Sequence, residues 1–136
     1  MRIFLDANVL VAIVNREYPV FTSCAKILSL ADRPGFTIVT SSLSLAITWY
    51  FAEKKHGEAQ AQKKLQILLQ HLTVAPCGAE EVNKATRPGT YDFEDALQYF
   101  SALAAECDHL VTSNAPDFYF ANIPVSEPDS FFRYLY

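Results

Sequence analysis

Near the start of the chain three bulky apolar residues, Ile3, Phe4 and Leu5, run straight into Asp6. A strand of a parallel sheet is covered on both faces, so it loses the apolar–polar alternation that a half-exposed strand shows. An acid at the carboxyl end of such a strand stands where open α/β sheets form their ligand crevice. Asp6 or Asn8 would equally serve as the N-cap of a helix predicted over residues 9–15, and the residues alone leave both roles open.

The rest of the chain repeats the strand-then-helix pattern. Helical spacing of Phe21, Cys24, Ala25, Leu28 and Ala31 predicts a helix over residues 20–31, stopped by Asp32-Arg33-Pro34-Gly35. A strand over 36–40 leads into a helix over 43–56, which Gly57 ends, and a further helix covers 58–72. A brief strand at 73–75, a short polar helix at 79–86, a clear amphipathic helix at 91–107 and a strand at 109–112 follow. An edge strand at 123–125 and a terminal helix at 128–136 close the chain. Strands that alternate with helices argue for a parallel sheet with crossover helices. The expected fold is therefore α/β, a three-layer α/β/α sandwich around a parallel sheet of four to five strands.

With 136 residues, 51% of them hydrophobic, the chain is the size of one domain, expected to span residues 1–136. Cys24, Cys77 and Cys107 are odd in number and widely spaced, which supports neither a disulfide framework nor a zinc site and suits a reducing, cytoplasmic setting. The first apolar segment is broken by Asp6, Asn8 and Asn15, so it does not read as a signal peptide, and no stretch reaches membrane-spanning length. The 15 acids against 11 Lys and Arg exclude a chain that binds nucleic acid through its overall field. Any RNA contact must use a local patch, for which Lys54, Lys55, Lys63 and Lys64 are the clustered candidates. The alternative for these lysines is a solvated helix face.

Acids recur where elements meet loops: Asp6, the pair Asp92 and Asp95, and Asp117 after Asn114. Each has a plain structural role open to it; Asp92 suits an N-cap and Asp95 the first helical turn. Together they suggest carboxylates that converge at one end of the sheet, a hard-oxygen site for Mg²⁺ or Mn²⁺. Such a cation could orient a water and stabilise the oxygens of an in-line displacement at phosphorus.

Four spaced motifs, Leu5-Asp6-Ala7-Asn8-Val9-Leu10, Asp92-Phe93-Glu94-Asp95-Ala96-Leu97, Leu110-Val111-Thr112-Ser113-Asn114 and Asp117-Phe118, resemble the PIN domain family in that order. The resemblance covers nearly the whole chain. It implies a divalent-metal-dependent endoribonuclease, often the toxin of a bacterial toxin–antitoxin pair of the VapBC type, with an antitoxin protein as partner. By position, Asp6, Asp95 and Asp117 would be the catalytic metal-site acids, with Asp92 beside them and Asn8, Thr112 and Asn114 as polar supports. The chain departs from the family where a glutamate is usual early in the third helix: Leu45-Ala46-Ile47-Thr48 holds no acid. Glu53 does not replace it, since it projects about 240° round the helix from Ile47. Ser113 likewise stands where the family often has an arginine.

A catalytically weak or inactive PIN-like module that binds RNA or a partner protein is the rival reading, favoured by that missing glutamate. A phosphotransfer receiver domain also uses strand-end acids, but the order of acids and lysine strand it needs is absent. One further expectation concerns association. The third helix carries two apolar stripes, Leu43/Ala46/Ile47/Tyr50/Phe51 and Leu45/Trp49/Ala52. The Trp49 stripe, with Phe131, Phe132, Tyr134 and Tyr136, is expected to form a homodimer or partner interface.

Overall fold

The computed structural model describes residues 1–135. Five parallel strands form one sheet in the order β3-β2-β1-β4-β5: β1 is Arg2–Leu5, β2 Thr37–Ser41, β3 Thr73–Ala75, β4 His109–Val111 and β5 Val125–Ser126. The Ile3-Phe4-Leu5 run is the central strand, and all three side chains are fully buried. Register pairs Phe4 with Val39 on one side and with Leu110 on the other. From β1 the chain winds outward through β2 and β3, then returns to place β4 and β5 on the opposite side. The order reverses between β1 and β4, and a crevice opens at the carboxyl ends of strands that flank such a reversal.

Among the described residues seven helices cover the sheet: α1 Ala7–Val14, α2 Phe21–Ser29, α3 Ser42–His56, α4 Glu58–Leu69, α5 Ala79–Ala85, α6 Phe93–Ala104 and α7 Pro128–Leu135. The strand pleat divides the core. Ile3, Leu5, Ile38 and Val111 pack with residues of α1 to α4 and α7, while Phe4, Val39 and Leu110 turn to the opposite face, against Tyr99 and Ala102 of α6 and Phe118. Two helical layers on an all-parallel sheet make the expected α/β/α sandwich. Each element stands within a few residues of its expected span. The helix expected over 91–107 starts later because Asp92 is its N-cap, accepting the Asp95 N–H at 3.0 Å. The helix expected over 58–72 ends at Leu69. Gly57, at φ 86°, separates α3 from α4 in a backbone conformation that a side chain would strain. The three cysteines are free. Among the described residues no helix is long and apolar enough to cross a membrane.

Part of the surface expected at an interface packs within the chain instead. Ala52 is fully buried, and Leu45 and Trp49 pack partly buried against the core. The Trp49 ring N–H donates to Glu53 Oε2 at 2.8 Å within the same helix. The small side chains Ser44, Thr48 and Ala52 form the most buried ridge of α3, which lets it approach its neighbours closely and turns the Trp49 stripe inward. The stripe left outside is the other one: Tyr50 is 57% and Phe51 43% exposed. Phe131 is likewise core, fully buried with its ring edge-on to His109 and to Phe132. Tyr134 stays half exposed, and Tyr136 lies outside the described residues.

Candidate active site

Asp6 ends β1 and caps α1, so both roles open to it in the sequence hold at once. Its Oδ1 accepts the Ala7 N–H at 2.8 Å; its Oδ2 accepts the Thr112 hydroxyl at 2.8 Å and Asn8 Nδ2 at 3.4 Å. Thr112 follows β4, the strand beside β1, so the sheet register itself delivers this contact. Asn8 Nδ2 also donates to Thr112 Oγ1 at 3.2 Å, and Asn8 Oδ1 accepts the Ser113 N–H at 3.0 Å. The Asn114 N–H donates to Thr112 Oγ1 at 3.1 Å. Asn8, Thr112 and Asn114 thus tie the β1 and β4 ends together around Asp6, with Asn114 acting through its backbone.

Asp95 enters from α6 and Asp117 from a short 3-10 turn, Ala115–Phe118, fastened by the Asp117 N–H to Asn114 O bond of 3.0 Å. Thr90, Tyr91, Asp92, Asp95, Pro116, Asp117 and Tyr119 line an open cleft there. The Asp95 carboxyl is pushed up to about 6, first by burial and then by the charges of Asp6, Asp92, Asp117 and Glu94. Burial also raises Asp6, against the lowering effect of its Thr112 and Ala7 hydrogen bonds, and Glu94 adds to the rise. The acids singled out in the sequence therefore share one electrostatic neighbourhood. Glu94 belongs to it and was not singled out; its signal was its place inside the Asp92–Asp95 motif, one turn before buried Gln98. Among the described residues no three His, Cys, Asp or Glu side chains are placed so that they could hold a metal ion together.

The chemistry of the donors nonetheless fits a hard cation. The cleft offers the carboxylates of Asp92, Asp95 and Asp117 and the hydroxyls of Thr90, Tyr91 and Tyr119, with no thiol or imidazole among its lining residues, which suits Mg²⁺ or Mn²⁺. A cation would offset the mutual repulsion that, after burial, helps to hold Asp95 high. A second groove, between α1, α2 and α4, is apolar and carries no carboxylate among its lining residues. Lys54, Lys55, Lys63 and Lys64 do not line the acid cleft. Lys54 lies over the Tyr50 ring, Lys55 donates to Asn15 O at 2.7 Å, and Lys64 borders the apolar groove.

A pH dependence follows. An acid raised in the folded state binds more protons folded than unfolded, so its contribution to stability falls as pH rises from about 4 to about 6. His109, buried beside Phe131 and held down to about 4, works in the opposite sense over the same range. The Asp95 contribution is read as the difference between the parent and Asp95→Asn. In chelator, the parent is expected to lose stability relative to Asp95→Asn between pH 4 and 6.5 in thermal unfolding, and parallel pH profiles would contradict the charge crowding.

Comparison with known proteins agrees with this architecture. A chain of the crystal structure of VapBC2 from Rickettsia felis bound to a DNA fragment from their promoter superposes with a TM-score of 0.72 at 26% identity, covering 93% of this chain and 98% of that one. Mycobacterium tuberculosis VapC20, a Sarcin-Ricin loop cleaving toxin, shares the fold with a TM-score of 0.60 at 20% identity, over 79% of this chain and 86% of that one. Ribonuclease VapC1 of Aquifex aeolicus (strain VF5) is 33% identical over 140 aligned positions, 96% of this chain and 92% of the relative. The PIN domain family model matches residues 2–115. With the strand-end acids in place and this match over most of its length, the chain belongs to the PIN domain family.

Proposed function

We propose that the chain is a divalent-metal-dependent endoribonuclease acting in the cytoplasm as the toxin of a VapBC-type pair. The observation that carries this reading is the shared neighbourhood of Asp6, Asp95 and Asp117 at the reversal of strand order. The likeness to Ribonuclease VapC1 supports RNA as substrate, and the likeness to VapBC2 supports an antitoxin protein as partner. Asp6, Asp95 and Asp117, with Asp92 close by, would hold Mg²⁺ or Mn²⁺. The bound cation supplies a nucleophilic water and charge stabilisation for displacement at phosphorus. Thr112 and the Ala7 N–H fix the Asp6 carboxylate so that its orientation does not depend on solvent. Asn8 locks the β4 loop that carries Asp117 toward it.

Purified protein is expected to cleave single-stranded RNA with Mn²⁺ and to stop in excess chelator. Intact RNA under both conditions, with metal bound, would favour the silent binding module instead, the reading that the acid-free start of α3 supports. RNA remote from the cut is held by Lys54, Lys55, Lys63 and Lys64. Charge reversal at Lys54 and Lys55 is expected to weaken binding and to lower the slope of log affinity against log salt by about 0.7 per lost phosphate contact. An unchanged slope would move the patch elsewhere. The exposed Tyr50 and Phe51 face of α3 is where a second copy or the antitoxin would dock, and a dimer in light scattering that survives Phe51→Glu would exclude that face.

A further inference from the structure

The cleft that holds Asp92, Asp95 and Asp117 is completed by Thr90, Tyr91, Pro116 and Tyr119, and no lysine or arginine lines it. A phosphate backbone entering it meets acids, so affinity there must come from a bound cation or from uncharged groups. The largest uncharged groups are the two tyrosine rings. Both rest on Phe120, Tyr91 at 4.7 Å between centroids and Tyr119 in a T-shaped contact at 5.8 Å. Phe120 is in turn seated on the buried rings of Phe118 and Tyr99, at 5.9 Å and 5.4 Å. Tyr119 is 63% exposed, yet its hydroxyl is hydrogen-bonded to the Thr90 hydroxyl, so the ring is fixed at two points while most of its surface faces solvent.

We propose that Tyr119 is a stacking platform for an unpaired RNA base beside the phosphate that is cut, which restricts the cleft to RNA that is single-stranded at that point. This rests on the ribonuclease reading above. Tyr119 ends the short turn that carries Asp117, so platform and acid share one rigid piece of backbone. Stacking on an aromatic ring accepts every base, because each has a π-face, and it needs no positive charge in an acidic cleft. A ring already fixed by Phe120 and Thr90 has little rotamer freedom left to lose when a base lies on it. A paired base is stacked within its own helix and offers no such face. The plain structural role, in which the hydroxyl ties Thr90 to the turn, would make no use of the exposed ring.

Fluorescence anisotropy of a labelled single-stranded RNA in Mn²⁺ separates the two roles, with every chain carrying Asp95→Asn so that the RNA stays whole and with cleavage by the parent followed alongside. Adding Tyr119→Ala is expected to weaken binding at least about fivefold, the loss of one stacked base. Adding Tyr119→Phe, which keeps the ring and drops the bond to Thr90, should retain most of the affinity. An abasic oligomer of the same length should bind equally with and without Tyr119→Ala. Equal RNA binding with and without Tyr119→Ala, in a parent that cuts RNA, would overturn this inference and leave the ribonuclease reading standing. A loss in Tyr119→Phe as large as in Tyr119→Ala would reduce the side chain to a tie for Thr90, and a loss repeated on the abasic oligomer would assign it to sugar or phosphate; either overturns the platform. RNA that Asp95→Asn fails to bind although the parent cuts it would place all the affinity in the metal site and overturn it equally. A parent chain that neither binds nor cuts RNA would overturn both.

Discussion

Asp95→Asn is expected to lower metal-dependent RNA cleavage about a thousandfold while the chain stays folded. Asparagine keeps the shape of the side chain but removes the charge that a hard cation needs. The backbone N–H of residue 95 would still donate to Asp92 Oδ1, so the cap of α6 survives. The uncharged side chain also relieves the burial of charge and the crowding that together push Asp95 up to about 6, which should make the metal-free variant at least as stable as the parent at neutral pH. Asp6→Asn is a less clean probe. Asp6 Oδ2 accepts from both Thr112 and Asn8, and an amide nitrogen there cannot accept, so local structure would change along with charge. Cleavage rates at saturating Mn²⁺ with unfolding curves for both proteins decide the matter. Asp95→Asn that cuts within tenfold of the parent would remove Asp95 from the site.

Phe131→Ala should cost about 3–5 kcal/mol in urea unfolding, the largest stability loss expected from one truncation near the terminus. The ring is fully buried, packs with the core on the α1 to α4 side, and meets the His109 ring edge-on at 5.0 Å between centroids. Its removal leaves a cavity and takes away the contact that seats α7 against buried His109. Trp49→Glu should also lower stability, though less, since Trp49 is only partly buried against the same core. A Phe131→Ala cost below about 1 kcal/mol would mean that α7 is not docked as described.

Much of this was legible in the residues. The unbroken Ile3-Phe4-Leu5 run marked a strand covered on both sides, and it became the centre of the sheet. Asp6, Asp95 and Asp117 could be placed at element ends because strand ends and helix caps carry local signals. Which face of α3 turns inward was not legible, because its two apolar stripes are equivalent by periodicity. The choice fell to Ser44, Thr48 and Ala52, whose small size matters only once neighbouring helices are in place. Phe131 read as exposed because a short terminal helix shows no sign of what it packs on. Glu94 looked like an ordinary first-turn acid. Its position opposite Ala46 and Ile47 depends on how α6 and α3 meet, contacts made between residues far apart in sequence.

Anomalous diffraction from a crystal of the parent chain soaked in Mn²⁺ tests the metal site most directly. The account predicts one strong peak bounded by the Asp6, Asp95 and Asp117 carboxylates. A strong peak at other carboxylates, or an empty acid cleft in a protein that binds Mn²⁺ in solution, would contradict it.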